Sequence, residues 1–402
     1  MQTIPNHHDL QRLTAATREL VARRTQQMGY PFDQGVGLRG FYEWLAETGL
    51  CDLTLISVGD PYKAQWDMLH VDEFERAVID FFADSFNFGG KHWGVLTNGG
   101  TDGNMHGIYF GRKMLAAQSP LAPILYVSEE AHYSVKKIGD IQNLDTRIVP
   151  SSRDGQMRPD ALRELLDHTR PALLAIAIGG TFKGAIDDQR AITRIVEEVR
   201  PPAVYRHLDV ALFGGYLPYL DAPEAREIVD AQAMGFDSLA LSGHKFVGIN
   251  EPVGIFVCRR KILNNLNSTP VPYLNGVIPT INCSRSGFDV LKLYWKITAT
   301  GREGFRKQAA HIMEMTTLLK TALEHRGIQT HVHPWSNTVY FPRPAEAVVR
   351  KYALACCEYP DLGSLAHVVV MQYFTPEIIE CFVEDVRQSS RQRGKDERPC
   401  ES

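Results

Sequence analysis

The sequence predicts an α/β fold built on a mainly parallel β-sheet, followed by a smaller α+β domain. Three observations carry that expectation. From about residue 93, short apolar runs recur at 93–96, 124–127, 173–178, 204–208, 238–241 and 253–257. They are too short for helices and apolar almost throughout, as strands covered on both faces are. Between them, 160–167 and 191–199 have helical period, and strand–helix alternation is the signature of a parallel sheet. After about 290 the texture changes to a long helical stretch at 287–326, strand candidates at 338–341 and 366–371, and a final helix from Thr375.

Upstream, residues 8–27 read as a polar, partly exposed helix ended by Gly29-Tyr30-Pro31. Residues 72–86 read as a second helix, with Phe74, Val78, Phe81 and Phe82 at helical spacing. The expected organisation is an N-terminal arm at 1–50, a large domain at 51–286 and a small domain at 287–390. The charged tail at 391–402 is expected to be disordered.

The 402 residues are 44% hydrophobic and 22% charged, ordinary for a water-soluble globular protein, and the net charge is −4 without a long basic block. That argues against nucleic-acid or membrane-surface partners. No apolar run reaches the roughly 18 residues of a membrane helix, and the start has no signal-peptide core. Seven cysteines without a CxxC pair fit reduced thiols in a cytoplasm, and the adjacent Cys356-Cys357 reads as core packing. No metal site is expected. His7-His8 and the His331/His333 pair lack a nearby acidic or thiol partner in sequence.

The chemistry concentrates after the strands. The segment 97–104, Thr-Asn-Gly-Gly-Thr-Asp-Gly-Asn, is a glycine-rich turn opening onto a helix. Such a turn aims several backbone N–H groups at one spot, as a phosphate dianion needs, although an ordinary tight turn has the same composition. It lacks a Walker lysine and departs from GxGxxG. His132 follows the strand at 124–127, where α/β proteins place ligands; it is either a ring that stacks on a flat heteroaromatic group or a polar loop residue. His207 and Asp209 share one face of a strand. A carboxylate in so apolar a segment needs a cation or hydrogen bonds, supplied either by a protonated pyridine nitrogen or by a loop that it caps. Lys245, in Ser242-Gly243-His244-Lys245, lies just past a buried strand. Burial and nearby positive charge lower an amine's pKa and free it to attack an aldehyde; a lysine that snorkels to the surface is the alternative. In the order phosphate loop, His, Asp, Lys, these residues point to pyridoxal 5'-phosphate (PLP).

The chain resembles the PLP-dependent group II amino-acid decarboxylases, closest to the bacterial PLP-type histidine decarboxylases and the plant serine decarboxylases. The resemblance runs over about residues 28–385. It rests on TNGGTDGN (97–104), AHYSVKKI (131–138), GTFKGAIDD (180–188), HLDVAL (207–212), SGHK (242–245), TINCSRSG (280–287) and NTVYFPRP (337–344). It implies the fold-type I architecture of PLP enzymes: a large domain with a seven-stranded, mainly parallel sheet, a smaller C-terminal domain, and a homodimer with sites at the interface. The implied activity is conversion of an amino acid to its amine and carbon dioxide. Other fates of the cofactor-bound carbanion (oxidation, transamination, retro-aldol cleavage) and a non-catalytic PLP-binding protein are the alternatives.

The resemblance also implies roles. Lys245 is the Schiff-base lysine, Asp209 the partner of the pyridine nitrogen, and His132 the stacking ring, with Ala211 on the opposite face. Gly100, Thr101, Ser242 and His244 hold the phosphate, and Thr181 lies near the ring oxygen. Ser284 is lent by the partner subunit, Tyr273 is the candidate proton donor to the substrate's Cα, and Tyr30 approaches the substrate. The chain departs from the family at Asp102 (usually Glu), at Leu208, Val210 and Phe213, at Ile249-Asn250-Glu251, and at Ile278 and Cys283. None of these removes Lys245, Asp209 or His132. The loop changes leave the substrate open, with Glu251 suited to a polar or cationic side chain and the bulkier residues to an aliphatic or aromatic one.

Overall fold

A computed structural model describes residues 5–63, 70–266, 270–272 and 276–396. They form two compact units: 36–313 with 333–336, and 5–35 with 314–332 and 337–396. The division differs from the expected boundaries at 50 and 286. The helix Gly287–Glu324 is bent at Gly301, where φ is +61°, and its first part belongs to the larger unit. There Leu293 packs over Gly243, within 3.3 Å of where a Cβ would stand. At the other end, the helix Arg39–Thr48 also belongs to the larger unit, so the expected arm is shared between the two.

In the larger unit, β1 (Ile56–Val58) stands apart from a sheet made of β2 (His92–Thr97), β3 (Ile124–Ser128), β4 (Asp145–Val149), β5 (Ala172–Ala177), β6 (Val204–Asp209), β7 (Ser238–Ser242) and β8 (Gly254–Arg259). The order is β2-β8-β7-β6-β5-β3-β4. β8 runs antiparallel to both of its neighbours, and the other pairings are parallel. Six strands therefore end at one edge of the sheet, the edge where ligands of open α/β sheets gather. Strands β3, β5 and β7 are buried at every position, which explains their continuous apolar runs. β4, with the burial-poor sequence Asp-Thr-Arg-Ile-Val, is an edge strand without that signal and escaped the sequence reading.

The helix Gly100–Ala116 crosses β6, β7 and β8 and carries Gly103, Gly107 and Gly111 toward the sheet. A Cβ at Gly107 would stand 2.2 Å from the His207 ring, and one at Gly111 would stand 2.6 Å from Tyr205. Only glycine lets the helix come that close over two ring side chains.

Further along come the two-residue β9 (Pro270–Val271) and β10 (Gly276–Val277), then β11 (Ser284–Ser286), which pairs with β1. A buried ion pair secures β11: Arg285 binds Glu75 in bidentate fashion at 2.9 and 3.2 Å, and Glu75 also accepts the Leu96 N–H at 3.0 Å. Losing one partner of such a pair costs about 3–5 kcal/mol.

The smaller unit holds an antiparallel sheet of β12 (Thr338–Pro342), β13 (Ala355–Tyr359) and β14 (Gly363–Val369) in the order β12-β14-β13. Phe341, Val368, Phe382 and Val383 are buried in its core. Cys356 and Cys357 are not core residues: they sit half-exposed on the edge strand β13. The final helix, Pro376–Asp396, continues into the charged segment expected to be a disordered tail. Residues 397–402 lie outside the described part. No helix among the described residues is long and apolar enough to cross a membrane.

Candidate active site

The carboxyl edge of the larger sheet collects most of the residues singled out in the sequence. β2 ends at Thr97, and Gly99, with φ of +84°, turns the chain into the helix starting at Gly100. A Cβ at Gly100 would stand 2.5 Å from Ser242 Oγ and 3.4 Å from Ala211 Cβ; one at Gly99 would stand 3.3 Å from the His244 ring. The glycine turn, Ser242, Ala211 and His244 thus converge on one cradle at a helix N-terminus, the arrangement that favours a phosphate. Thr101 is exposed at the same turn. Asp102 faces the other way. Burial pushes its carboxyl up, yet bonds from His106, the Asn98 N–H and Asn282 hold it below the usual range.

Asp209 is the last residue of β6, half-buried, with one oxygen accepting from Asn104 Nδ2 at 2.8 Å and the other from the Ala211 N–H at 3.2 Å. Lys245, three residues past the end of β7, is also half-buried. Burial lowers its amine pKa, and the Asp209 charge opposes the shift. His132 completes the group. Burial lowers its imidazole pKa; Asp209 acts against this and Lys245 with it, so the three side chains share one electrostatic neighbourhood. The His132 ring caps the helix Tyr133–Ile141, its Nδ1 accepting the Ser134 N–H at 3.3 Å and lying 2.6 Å from the Ser134 hydroxyl. An Nδ1 that accepts leaves the proton on Nε2 and the ring neutral.

Thr181 is exposed on the turn after β5. Asp187 ties down that turn, accepting the N–H groups of Met157 at 2.7 Å and Ala177 at 2.9 Å. Ile178, at its start, donates to the Asp209 carbonyl at 2.9 Å.

Other expected residues are placed differently. Ser284 is exposed on β11, apart from any contact with the cradle among the described residues. Tyr273 lies outside the described residues. Tyr30, in the smaller unit, is 47% exposed and stacks on Phe32 at 6.1 Å. Glu251 binds the buried Lys292, and Tyr42 Oη stands 3.4 Å from it. Lys292 holds the Glu251 carboxyl below its usual range against the opposing effect of burial. Sequence pattern alone does not single out Asn104, which donates to Asp209, nor Ser238 and Tyr205, which connect to Asn104 through His207. A partial signal is present: Tyr205, His207 and Asp209 alternate along one strand face, and Asn104 closes the glycine-rich motif.

The donors present fit PLP. Gly100 leaves the space of a Cβ open beside Ser242, Asp209 offers a carboxylate of the kind a cationic ring nitrogen needs, and a lysine of depressed pKa stands at the same edge. The class is therefore a PLP enzyme of fold type I, with its site at the carboxyl edge of the sheet. Residues 78–333 match the pyridoxal-dependent decarboxylase conserved domain, and the chain belongs to that family. It is 32% identical to serine decarboxylase 1 of Oryza sativa subsp. japonica, over 95% of this chain and 77% of that protein. It is 31% identical to a histidine decarboxylase of Solanum lycopersicum, over 94% and 88%. The fold matches the crystal structure of an L-methionine decarboxylase from Streptomyces sp. 590 with a TM-score of 0.84, at 20% identity and 97% coverage of both chains. The protein is a PLP-dependent decarboxylase acting on an amino acid.

Proposed function

We propose that the chain converts one free L-amino acid to its amine as a cytoplasmic homodimer, in amine biosynthesis, and that the substrate's side chain carries no positive charge. The observation that carries the reading is the shared setting of Lys245, Asp209 and His132 beside the Gly100–Ser242 cradle. Bound PLP supplies an aldehyde for the amino group and a ring that accepts the electron pair left when carbon dioxide departs. The protein supplies position and charge. Lys245, its amine pKa lowered by burial, would present its Nζ to the aldehyde. Asp209 would hold a proton on the pyridine nitrogen. His132 and Ala211 would pack against the ring and keep water from it. Gly100, Thr101, Ser242 and His244 grip the phosphate, and Thr181 faces the ring oxygen. Tyr273 delivers a proton to the substrate's Cα, and Tyr30 lines the substrate's approach.

The partner subunit completes the phosphate site through Ser284. The exposed Leu10, Leu13, Leu20 and Val21 on the helix His7–Ala22 support a second copy, since that helix buries none of its residues. Free cysteines at every described position support a reducing compartment.

Glu251, the acidic residue suited to a cationic substrate, is matched by Lys292 instead, which favours a neutral side chain. The test is carbon dioxide release from each proteinogenic amino acid by the PLP-loaded protein, with products identified by mass and Lys245→Ala alongside. One neutral amino acid yielding its amine, with activity lost in the variant, is the expected result. Turnover of lysine or arginine overturns the substrate class, and an aldehyde or keto-acid product overturns the reaction.

A further inference from the structure

Beneath Asp209 lies a chain of side chains that the reaction itself does not use. Asn104 Nδ2 meets Asp209 at 2.8 Å, and Asn104 Oδ1 meets His207 Nε2 at 2.9 Å. His207 Nδ1 lies 2.8 Å from Ser238 Oγ, which accepts from Tyr205 Oη at 2.8 Å. Tyr205, His207 and Ser238 are fully buried, and Asn104 is 2% exposed.

The direction of every proton follows from its neighbour. A carboxylate only accepts, so the Asn104 amide nitrogen faces Asp209 and its oxygen faces His207. That oxygen needs a donor, so His207 carries its proton on Nε2. Its Nδ1 must then accept, so Ser238 donates to it, and Tyr205 donates to Ser238. Burial keeps His207 neutral by pushing its pKa down to about 4. Four groups donate head to tail, and the row ends on Asp209.

We propose that Tyr205, Ser238, His207 and Asn104 form a one-way donor relay that positions the Asp209 carboxylate and strengthens the hydrogen bond it accepts, opposite the cofactor's ring nitrogen. Hydrogen-bond chains of this kind strengthen one another in a low-dielectric interior. A reversed His207 tautomer turns the Asn104 oxygen toward the Asp209 carboxylate, so breaking the relay at its far end is felt at the near end. The glycine stripe of the crossing helix is its housing: Cβ atoms at Gly107 and Gly111 would overlap His207 and Tyr205.

The inference rests on PLP being bound through Lys245, and the two fail separately. Loss of the visible absorbance band in Lys245→Ala tests the cofactor; the relay is tested by variants that keep it. PLP-loaded Ser238→Ala, Ser238→Thr, Asn104→Ala and Tyr205→Phe are compared by the pH dependence of that band, by PLP affinity and by steady-state kinetics. A weaker Asp209 leaves less positive charge on the ring, so the Lys245 nitrogen keeps its proton to higher pH. The expected shift is about one pH unit in Ser238→Ala, larger in Asn104→Ala and smaller in Tyr205→Phe. The kcat falls about tenfold in Ser238→Ala with KM nearly unchanged, and Ser238→Thr, which keeps the hydroxyl, recovers both. If Ser238→Ala does not fold, Asn104→Ala and Tyr205→Phe carry the same ordered comparison. Variants that lose thermal stability while the pH profile of the band stays at the wild-type position show mere packing and overturn the relay.

Discussion

Two carboxylates, Asp209 at the end of β6 and Glu251 in the loop between β7 and β8, are held in opposite ways. Asp209 is met by neutral donors, the Asn104 amide and the Ala211 N–H, with the relay behind them. Glu251 is met by a cation, the buried Lys292, and by the hydroxyl of the solvent-exposed Tyr42. Neutral donors stabilise a negative charge without cancelling it, so Asp209 remains available to a positively charged ring nitrogen. A lysine cancels the charge locally, so Glu251 acts as a tie between the post-lysine loop and the helix starting at Gly287. Chemistry needs the first arrangement, and anchoring is served by the second. Sequence alone could not separate them, because both are acidic residues after apolar strands.

The largest effect that sharpens this contrast is Asp209→Asn. It keeps the shape and removes the charge, and kcat is expected to fall by about 100- to 1,000-fold in folded protein, the scale of losing a fixed electrostatic contact in the transition state. Near-normal turnover breaks the comparison.

A third carboxylate sharpens it by pH. Asp187 is fully buried, accepts two backbone N–H groups and has no cationic partner among the described residues; burial pushes its pKa up to about 6. The folded protein keeps a proton that the unfolded chain has released, so Asp187 stabilises the fold most below about pH 4, and that contribution fades as pH rises through 6. His207 has the opposite sign. Its folded pKa of about 4 lies below the unfolded value, so its contribution is complete above about pH 6.5 and is lost as pH falls toward 4. Removing the first should expose the second: Asp187→Asn is expected to lose stability more steeply than wild type between pH 6.5 and 4.5. Urea unfolding at three pH values measures it, and parallel curves refute the assignment.

The smallest effect belongs to Glu251→Gln. With that side chain half in solvent, the loss should be at most about 1 kcal/mol, with kcat/KM within roughly threefold of wild type. A hundredfold change confined to one class of substrate would return Glu251 to the substrate pocket.

Much of the architecture was written in local patterns. Continuous apolar runs mark strands buried on both faces, and the order of the glycine turn, His132, Asp209 and Lys245 follows directly from their places after those strands. The edge strands β4 and β13 are not legible in the sequence, because half-exposed strands lack a continuous apolar run. The unit boundary inside the helix Gly287–Glu324 was missed because helical period is the same on either side of the bend at Gly301. By itself, then, the sequence determined most of the sheet and the kind of cofactor, since these depend on residue type and on periodicities of two and 3.6. Only the tertiary structure decided which carboxylate is free and which is matched, that Lys292 reaches Glu251 across 41 residues, and that Asn104 spans 105 residues to Asp209. Those are long-range pairings, fixed by how helices cross the sheet, and no local pattern encodes them.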